Sequence, residues 1–205
     1  KGRERIGSGS LMETSLPSGE HMVYLRGIAG GNLVSMASVY IKIRSLDEKP
    51  PIIVLSEEIK EFTFASGSAE LSPKFKGALE RIVAGIEKEA RDYECDKIEV
   101  IGHTDSEKIE GQRSNLDDNI LNFVKTNGQI KLTCSDNAGL GLMRAIAVIN
   151  FFRQKQKNGK LSMIKFFHPL SAGQMILPDG SLSKTADQSN SPARRRIEIR
   201  LLRSK

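Results

Sequence analysis

The sequence predicts an α/β domain: a two-layer sandwich with helices packed on one face of a mixed β-sheet, preceded by an N-terminal β-rich extension. Three observations predict it. Residues 196–201 alternate strictly, with Ile197, Ile199 and Leu201 facing one way and Arg196, Glu198 and Arg200 the other, the pattern of a strand with one buried and one wetter face. Residues 137–152 read as a strongly apolar helix carrying a single charge, Arg144. Between residue 52 and that closing strand, strand-like runs alternate with helix-like runs, which is how a sheet covered by helices is encoded.

Residues 1–21 combine Gly, Ser and charge and read as flexible. Residues 22–56 form the β-rich extension, a candidate linker or dimerisation segment. Within it, Val23-Tyr24-Leu25 and residues 39–43 are β-branched and aromatic, and the glycine-rich stretch 27–31 between them predicts two short strands joined by a loop. Asp47 to the paired Pro50 and Pro51 marks a boundary, and residues 52–55 are a further strand. The main domain is placed at residues 57–205. It opens with Phe62-Thr63-Phe64, expected as a short strand with two aromatics on one face. Ser72-Pro73 starts a helix, because Ser caps and Pro at the first position gives up no needed hydrogen bond. Phe75, Leu79, Ile82, Val83 and Ile86 then make one apolar face. Residues 97–102 are the next strand and residues 114–125 a short helix within a polar excursion. An extended segment begins at 165–167, and a loop rich in Ser, Gly, Pro and Asp fills 171–191 before the closing strand.

The chain has 205 residues, enough for one domain with a core plus an extension. No stretch approaches the ~20 apolar residues of a membrane helix. No basic–apolar–small-residue leader opens it, although the chain starts at Lys1 and this says little about anchoring. The net charge of +6 would suit an acidic partner, but aromatics are only 5% with no Trp, so base-stacking platforms and nucleic-acid partners are not expected. Cys95 and Cys134 are too few for a disulfide framework or a structural zinc site; their pairing with each other stays open.

A guanidinium on a mostly buried helix needs acceptors, and a carboxylate gripped by two parallel hydrogen bonds is the best match for Arg144. Either the protein or a ligand supplies it. Gly102-His103-Thr104-Asp105 leaves the strand at a place where α/β folds commonly build ligand sites. Asp105 there either caps the following turn or accepts hydrogen bonds from an ammonium group.

Taken together, Gly102-His103-Thr104-Asp105 and Asn137-x-x-Leu140-Gly141-x-x-Arg144-Ala145-x-x-Val148 resemble the signature of the OmpA-like peptidoglycan-binding domain family, which includes the periplasmic domain of flagellar-stator-B-like proteins. Residues 62–71, Leu170-Ser171-Ala172-Gly173 and residues 195–199 resemble further family segments in the same order, so the resemblance spans about 62–202. It implies a βαβαβ-type sandwich and non-covalent binding of the diaminopimelate of the stem peptide. The Asp of the Thr-Asp pair would take the ammonium and the Arg of the Arg-Ala pair the carboxylate. Carried over, these are Asp105 and Arg144, with Asn137 at the helix start and Thr104 orienting the loop. Arg195 and Arg196 match the family's closing Arg pair, of which one supports the pocket; Arg196 completes the expected ligand-binding set. The resemblance further implies a periplasmic module anchoring a membrane protein to the wall, with the parent in the inner membrane or alternatively the outer. A homodimer and a membrane motor or channel partner, as in a stator-like subunit, are implied too, with no cofactor and no metal. Two departures stand out. A long segment at about 106–136 separates Asp105 from the Arg-bearing helix, and could fold aside, wall the pocket or cover it. The family's Ser after the motif Leu is Gly141 here.

Three other readings compete. His103 and Asp105 lie near each other, but no G-x-S-x-G nucleophile motif is present, and His21, His103 and His168 lack metal-ligand spacing, so catalysis is not expected. The insertion favours an alternative in which the fold serves as a protein–protein or dimerisation module with wall binding lost or masked. The basic tail from Arg194 to Lys205 would suit nucleic acid, but its alternation reads as a solvated strand face.

Overall fold

The computed structural model describes the chain apart from residues 1–4, 12, 46, 126–130, 185–189 and 205, and only the backbone of 122–125. The chain divides into two compact units, Lys1–Lys49 and Pro50–Lys205. No described helix is long and apolar enough to cross a membrane.

The first unit is an antiparallel hairpin of β1 (Gly19–Ala29) and β2 (Asn32–Ile43). The glycine-rich stretch is mostly strand. Only Gly30 and Gly31 form the turn, at φ of 57° and 80°, the positive values that both central residues of a type I′ hairpin turn need. The register shifts at Gly27/Ile28, where a side chain on Gly27 would strike Ser35 Oγ at 2.3 Å. Leu25, Ile28, Leu33, Val34 and Met36 are all more than half exposed.

The second unit holds a mixed four-stranded sheet in the order β3-β6-β4-β5. Its strands are β3 (Ile53–Ser56), β4 (Lys97–His103), β5 (Phe166–Gly173) and β6 (Arg196–Leu202). β4 and β5 run parallel, and β6 is antiparallel to both β3 and β4. The sheet's edge strand β3 thus lies within the stretch that the sequence assigns to the extension. The helices are α1 (Pro73–Asp92), α2 (Leu116–Lys125) and α3 (Asn137–Lys157). Register places Ile98, Val100, Ile197, Ile199, Leu201 and Leu55 on one sheet face, and all of them join a single core with Phe75, Leu79 and Ile86 of α1 and Val148, Ile149 and Phe152 of α3. The two-layer arrangement with α1 and α3 on one face follows from that alternation. Ser72 caps α1 by accepting a hydrogen bond from Phe75 N at 3.1 Å, and Asp136 caps α3 through Gly139 N at 2.7 Å.

Two expectations are corrected. Phe62-Thr63-Phe64 is not a strand. A single 3-10 turn spans Lys60–Phe62, and Phe64 N donates to the Glu57 carboxylate at 3.1 Å instead of to a neighbouring strand. Phe62 and Phe64 both pack on Phe75, with ring centroids 5.4 and 4.8 Å away. The polar face of β6 is also only partly solvated: Arg200 is exposed, but Arg196 and Glu198 are 5% and 9% exposed. The 171–191 loop supplies acceptors there, the carbonyls of Ile176 and Leu177 taking hydrogen bonds from Arg196 at 3.4 and 3.1 Å. Cys95 and Cys134 are buried and not bonded to each other.

Candidate functional site

The site begins with a contact between two glycines. A Cβ on Gly102, near the end of β4, would lie 1.9 Å from Gly141 O on α3, so strand and helix meet backbone to backbone. Asp105 follows Gly102 by three residues and Arg144 follows Gly141 by three. The glycine contact therefore sets both at one end of the sandwich, where they line a cavity of about 400 Å³. The same contact explains the departure at Gly141. A side chain there would meet Ser171 Oγ at 2.4 Å and Gly102 O at 2.7 Å. Ser171 of β5 fills that space, donating to Ala138 O at 2.6 Å.

Arg144 is 2% exposed. Its Nε donates to Ser68 O at 3.0 Å, and its guanidinium carbon sits 4.7 Å from the centroid of the Phe64 ring. Among the described residues no carboxylate forms an ion pair with it. Burial pushes its pKa below the usual guanidinium value; the charges of Glu57 and Asp105 oppose that, and Arg195 adds to it. A guanidinium stays protonated even so, and its two Nη groups form the fork that matches a carboxylate.

Asp105 is engaged differently. Its Oδ2 accepts from Ser191 N at 3.2 Å and from Arg195 Nη1 at 2.5 Å, and its Oδ1 from Glu107 N at 3.4 Å. Arg195 also donates from Nε to Glu57 Oε2 at 2.5 Å and from Nη1 to Asn190 Oδ1 at 2.6 Å. Burial works against the Arg195 charge, but the bonds to Glu57 and Asp105 outweigh it and raise its pKa above the ordinary value. Asn137, on the first turn of α3, donates to Glu107 O at 2.9 Å and so ties down the start of the insertion. The insertion walls the cavity: Glu107, Lys108, Glu110 and Gln112 line it. Farther along, Asn115 and Thr133 close the insertion's base, with Thr133 N on Asn115 Oδ1 at 2.8 Å.

Of the expected residues, Asp105, Arg144 and Asn137 converge on the cavity, and Thr104 and Arg196 do not line it. Thr104 is buried beside the site with its N donating to Gly173 O at 2.9 Å. Arg196 lies on the opposite sheet face, so the member of the Arg pair at the cavity is Arg195. The sequence held the signal: Arg195 is in phase with Ile197 and Ile199, which face the helices. Glu57 had no motif behind it. It reaches the site because β3 pairs with β6, placing Glu57 N on Arg195 O at 3.1 Å.

The far face carries its own ion cluster. Glu198 Oε1 is 3.0 Å from His103 Nε2 and 3.1 Å from Arg196 Nη2, and Oε2 is 2.9 Å from Arg200 Nη2. The His103 ring beside it does most to lower its pKa from 4.5 to about 2, burial opposes this, and Arg200 and Arg196 add to the lowering. A folded-state pKa below the unfolded one gives stability that is present above about pH 4.5 and is lost as pH falls toward 2. That contribution is at most on the order of 3 kcal/mol. Asp96, also held at about 2, by hydrogen bonds from Ser204, contributes to acid sensitivity separately. Glu198→Gln is therefore expected to lose less stability than wild type between pH 5 and pH 3 in urea titrations; parallel losses would assign the acid sensitivity elsewhere.

No family model matches the chain, and no curated protein matches it. Among solved structures, one described as a MotB-like protein from Desulfovibrio vulgaris aligns at a TM-score of 0.43 and 20% identity over 75% of each chain. At that similarity the likeness is coarse, and the chemistry of the site stands on this chain's own residues.

Proposed function

We propose that the second unit is a non-catalytic binding module for the zwitterionic centre of diaminopimelate in peptidoglycan stem peptides, and that it anchors an envelope protein to the cell wall. The observation that carries this is Arg144: a buried guanidinium on a cavity wall, without a carboxylate partner among the described residues. Its burial cost is offset when a ligand carboxylate enters. Asp105, in the same cavity, supplies negative charge for the neighbouring ammonium. The motif resemblance at residues 102–105 and 137–148 names the ligand that has both groups on one carbon. A periplasmic setting, and a parent that is a stator-like subunit of an ion-driven motor, belong to the same reading.

Titration calorimetry with three soluble stem peptides tests it. The diaminopimelate peptide offers ammonium and carboxylate, its lysine counterpart only the ammonium, and its 2-aminopimelate counterpart only the carboxylate. The diaminopimelate peptide is expected to bind tightest, by roughly tenfold or more over each counterpart. Equal affinities for all three, or no binding, would contradict the reading.

A second reading, a protein-pairing module, is favoured by the hairpin. A two-stranded ribbon is marginal by itself, and this one leaves Leu25, Leu33, Val34 and Met36 exposed. Pairing with a second copy would cover them, and it is compatible with wall binding by the other unit.

A further inference from the structure

The charges around the cavity do not pair one to one. Glu57 and Asp105 share a single guanidinium, Arg195, while Arg144 has no ion-pair partner among the described residues. Two carboxylates are thus ion-paired to one guanidinium, while Arg144 feels Glu57 and Asp105 only without a direct ion pair and is held apart on the backbone of Ser68, although these four side chains sum to zero. A zwitterion fits that separation.

We propose that Glu57 is a ligand-recognition residue, the second carboxylate for the incoming ammonium, and that it sets specificity by keeping Arg195 from neutralising Asp105. The inference rests on the proposed wall-binding reading and deepens it. The acceptor count supports it. A carboxylate oxygen takes about two hydrogen bonds. Asp105 Oδ2 is filled by Ser191 N and Arg195 Nη1, leaving only one position on Oδ1 beside the bond from Glu107 N. Glu57 Oε1 accepts from Phe64 N and Oε2 from Arg195 Nε, so among the described residues each retains one acceptor position. An ammonium carries three donors, more than Asp105 by itself can receive. Glu57 is 7% exposed and lines the cavity.

In Glu57→Gln, Asp105 and Arg195 become a matched pair, and the ammonium loses its surplus counter-charge. Arg144 keeps its grip on the carboxylate. Affinity for the diaminopimelate peptide is then expected to fall about tenfold, toward that of the 2-aminopimelate peptide, whose affinity stays put. A general loosening of the site would instead lower both together. The double variant Glu57→Gln/Arg195→Met removes the matching guanidinium, frees Asp105, and is expected to restore preference for the ammonium-bearing peptide.

Calorimetric titration of the full chain and both variants with the two peptides, after circular dichroism has checked folding, makes the test. Selective loss in the single variant with recovery in the double supports the proposal. A parallel loss of both peptides, unchanged discrimination, or no recovery in the double variant overturns it. If Glu57→Gln does not fold, the double variant decides: a retained preference for the ammonium supports the charge account, and its absence overturns it. Failure of the wild-type chain to bind either peptide would overturn the wall-binding reading itself, an outcome distinct from wild-type binding that Glu57→Gln leaves intact.

Discussion

Gly102→Ala is expected to lower the stability of the second unit by about 3 kcal/mol or more, because the new methyl has nowhere to go. The clash is with the Gly141 carbonyl at 1.9 Å and its carbon at 2.6 Å, both backbone atoms of a helix packed into the core. Relief requires α3 to move off β4, and α3 carries Val148, Ile149 and Phe152 into that core. A fall in melting temperature of roughly 6–12 °C follows for a domain of this size. The displacement also separates Asp105 from Arg144, so ligand affinity falls even where the variant remains folded. Gly85→Ala is the control, since a methyl there meets nothing within 4 Å, and a better helix former in mid-helix raises stability slightly. Equal melting temperatures for Gly102→Ala and wild type would show that strand and helix are not in backbone contact.

Arg144→Met is expected to move stability and binding in opposite directions. The side chain is 2% exposed and its charge lacks an ion-pair partner among the described residues, so in the free protein the guanidinium costs desolvation that little repays. Methionine keeps most of the volume and the contact with Phe64 without that cost. The thermal midpoint of the free domain is therefore expected to hold or to rise by a few degrees, a gain on the order of 1 kcal/mol. Affinity for the diaminopimelate peptide is expected to fall about 100-fold, because a charge-assisted bidentate pair is lost, leaving the variant no better for that peptide than for its lysine counterpart. A drop in midpoint as large as the loss of binding would mean that Arg144 is a structural ion and not a ligand site.

The sheet and its two long helices were legible because their signals are local. Ser72-Pro73 is a helix start in any context, and Ile197, Ile199 and Leu201 alternate whatever surrounds them. Phe62-Thr63-Phe64 misled because aromatic alternation also fits an irregular segment whose rings fall on one helix residue, Phe75, and whose amide is taken by a side chain. The burial of Arg196 and Glu198 was hidden for a related reason: alternation shows which residues share a face, but not that the preceding loop folds over it. In the site, Asp105, Arg144 and Asn137 could be found because they sit in motifs. Glu57 could not, since its link to Arg195 depends on strand pairing across most of the domain. The insertion's role was equally non-local: Asn137 binding the Glu107 carbonyl makes residues 107–112 a wall of the cavity.

Co-sedimentation of the full chain with insoluble diaminopimelate-type sacculi tests the central claim most directly, with folded Arg144→Met and Asp105→Ala alongside. Wild type is expected in the pellet and both variants in the supernatant. A folded wild-type chain that stays in solution, or an Arg144→Met variant that pellets as well as wild type, would contradict wall binding through this cavity.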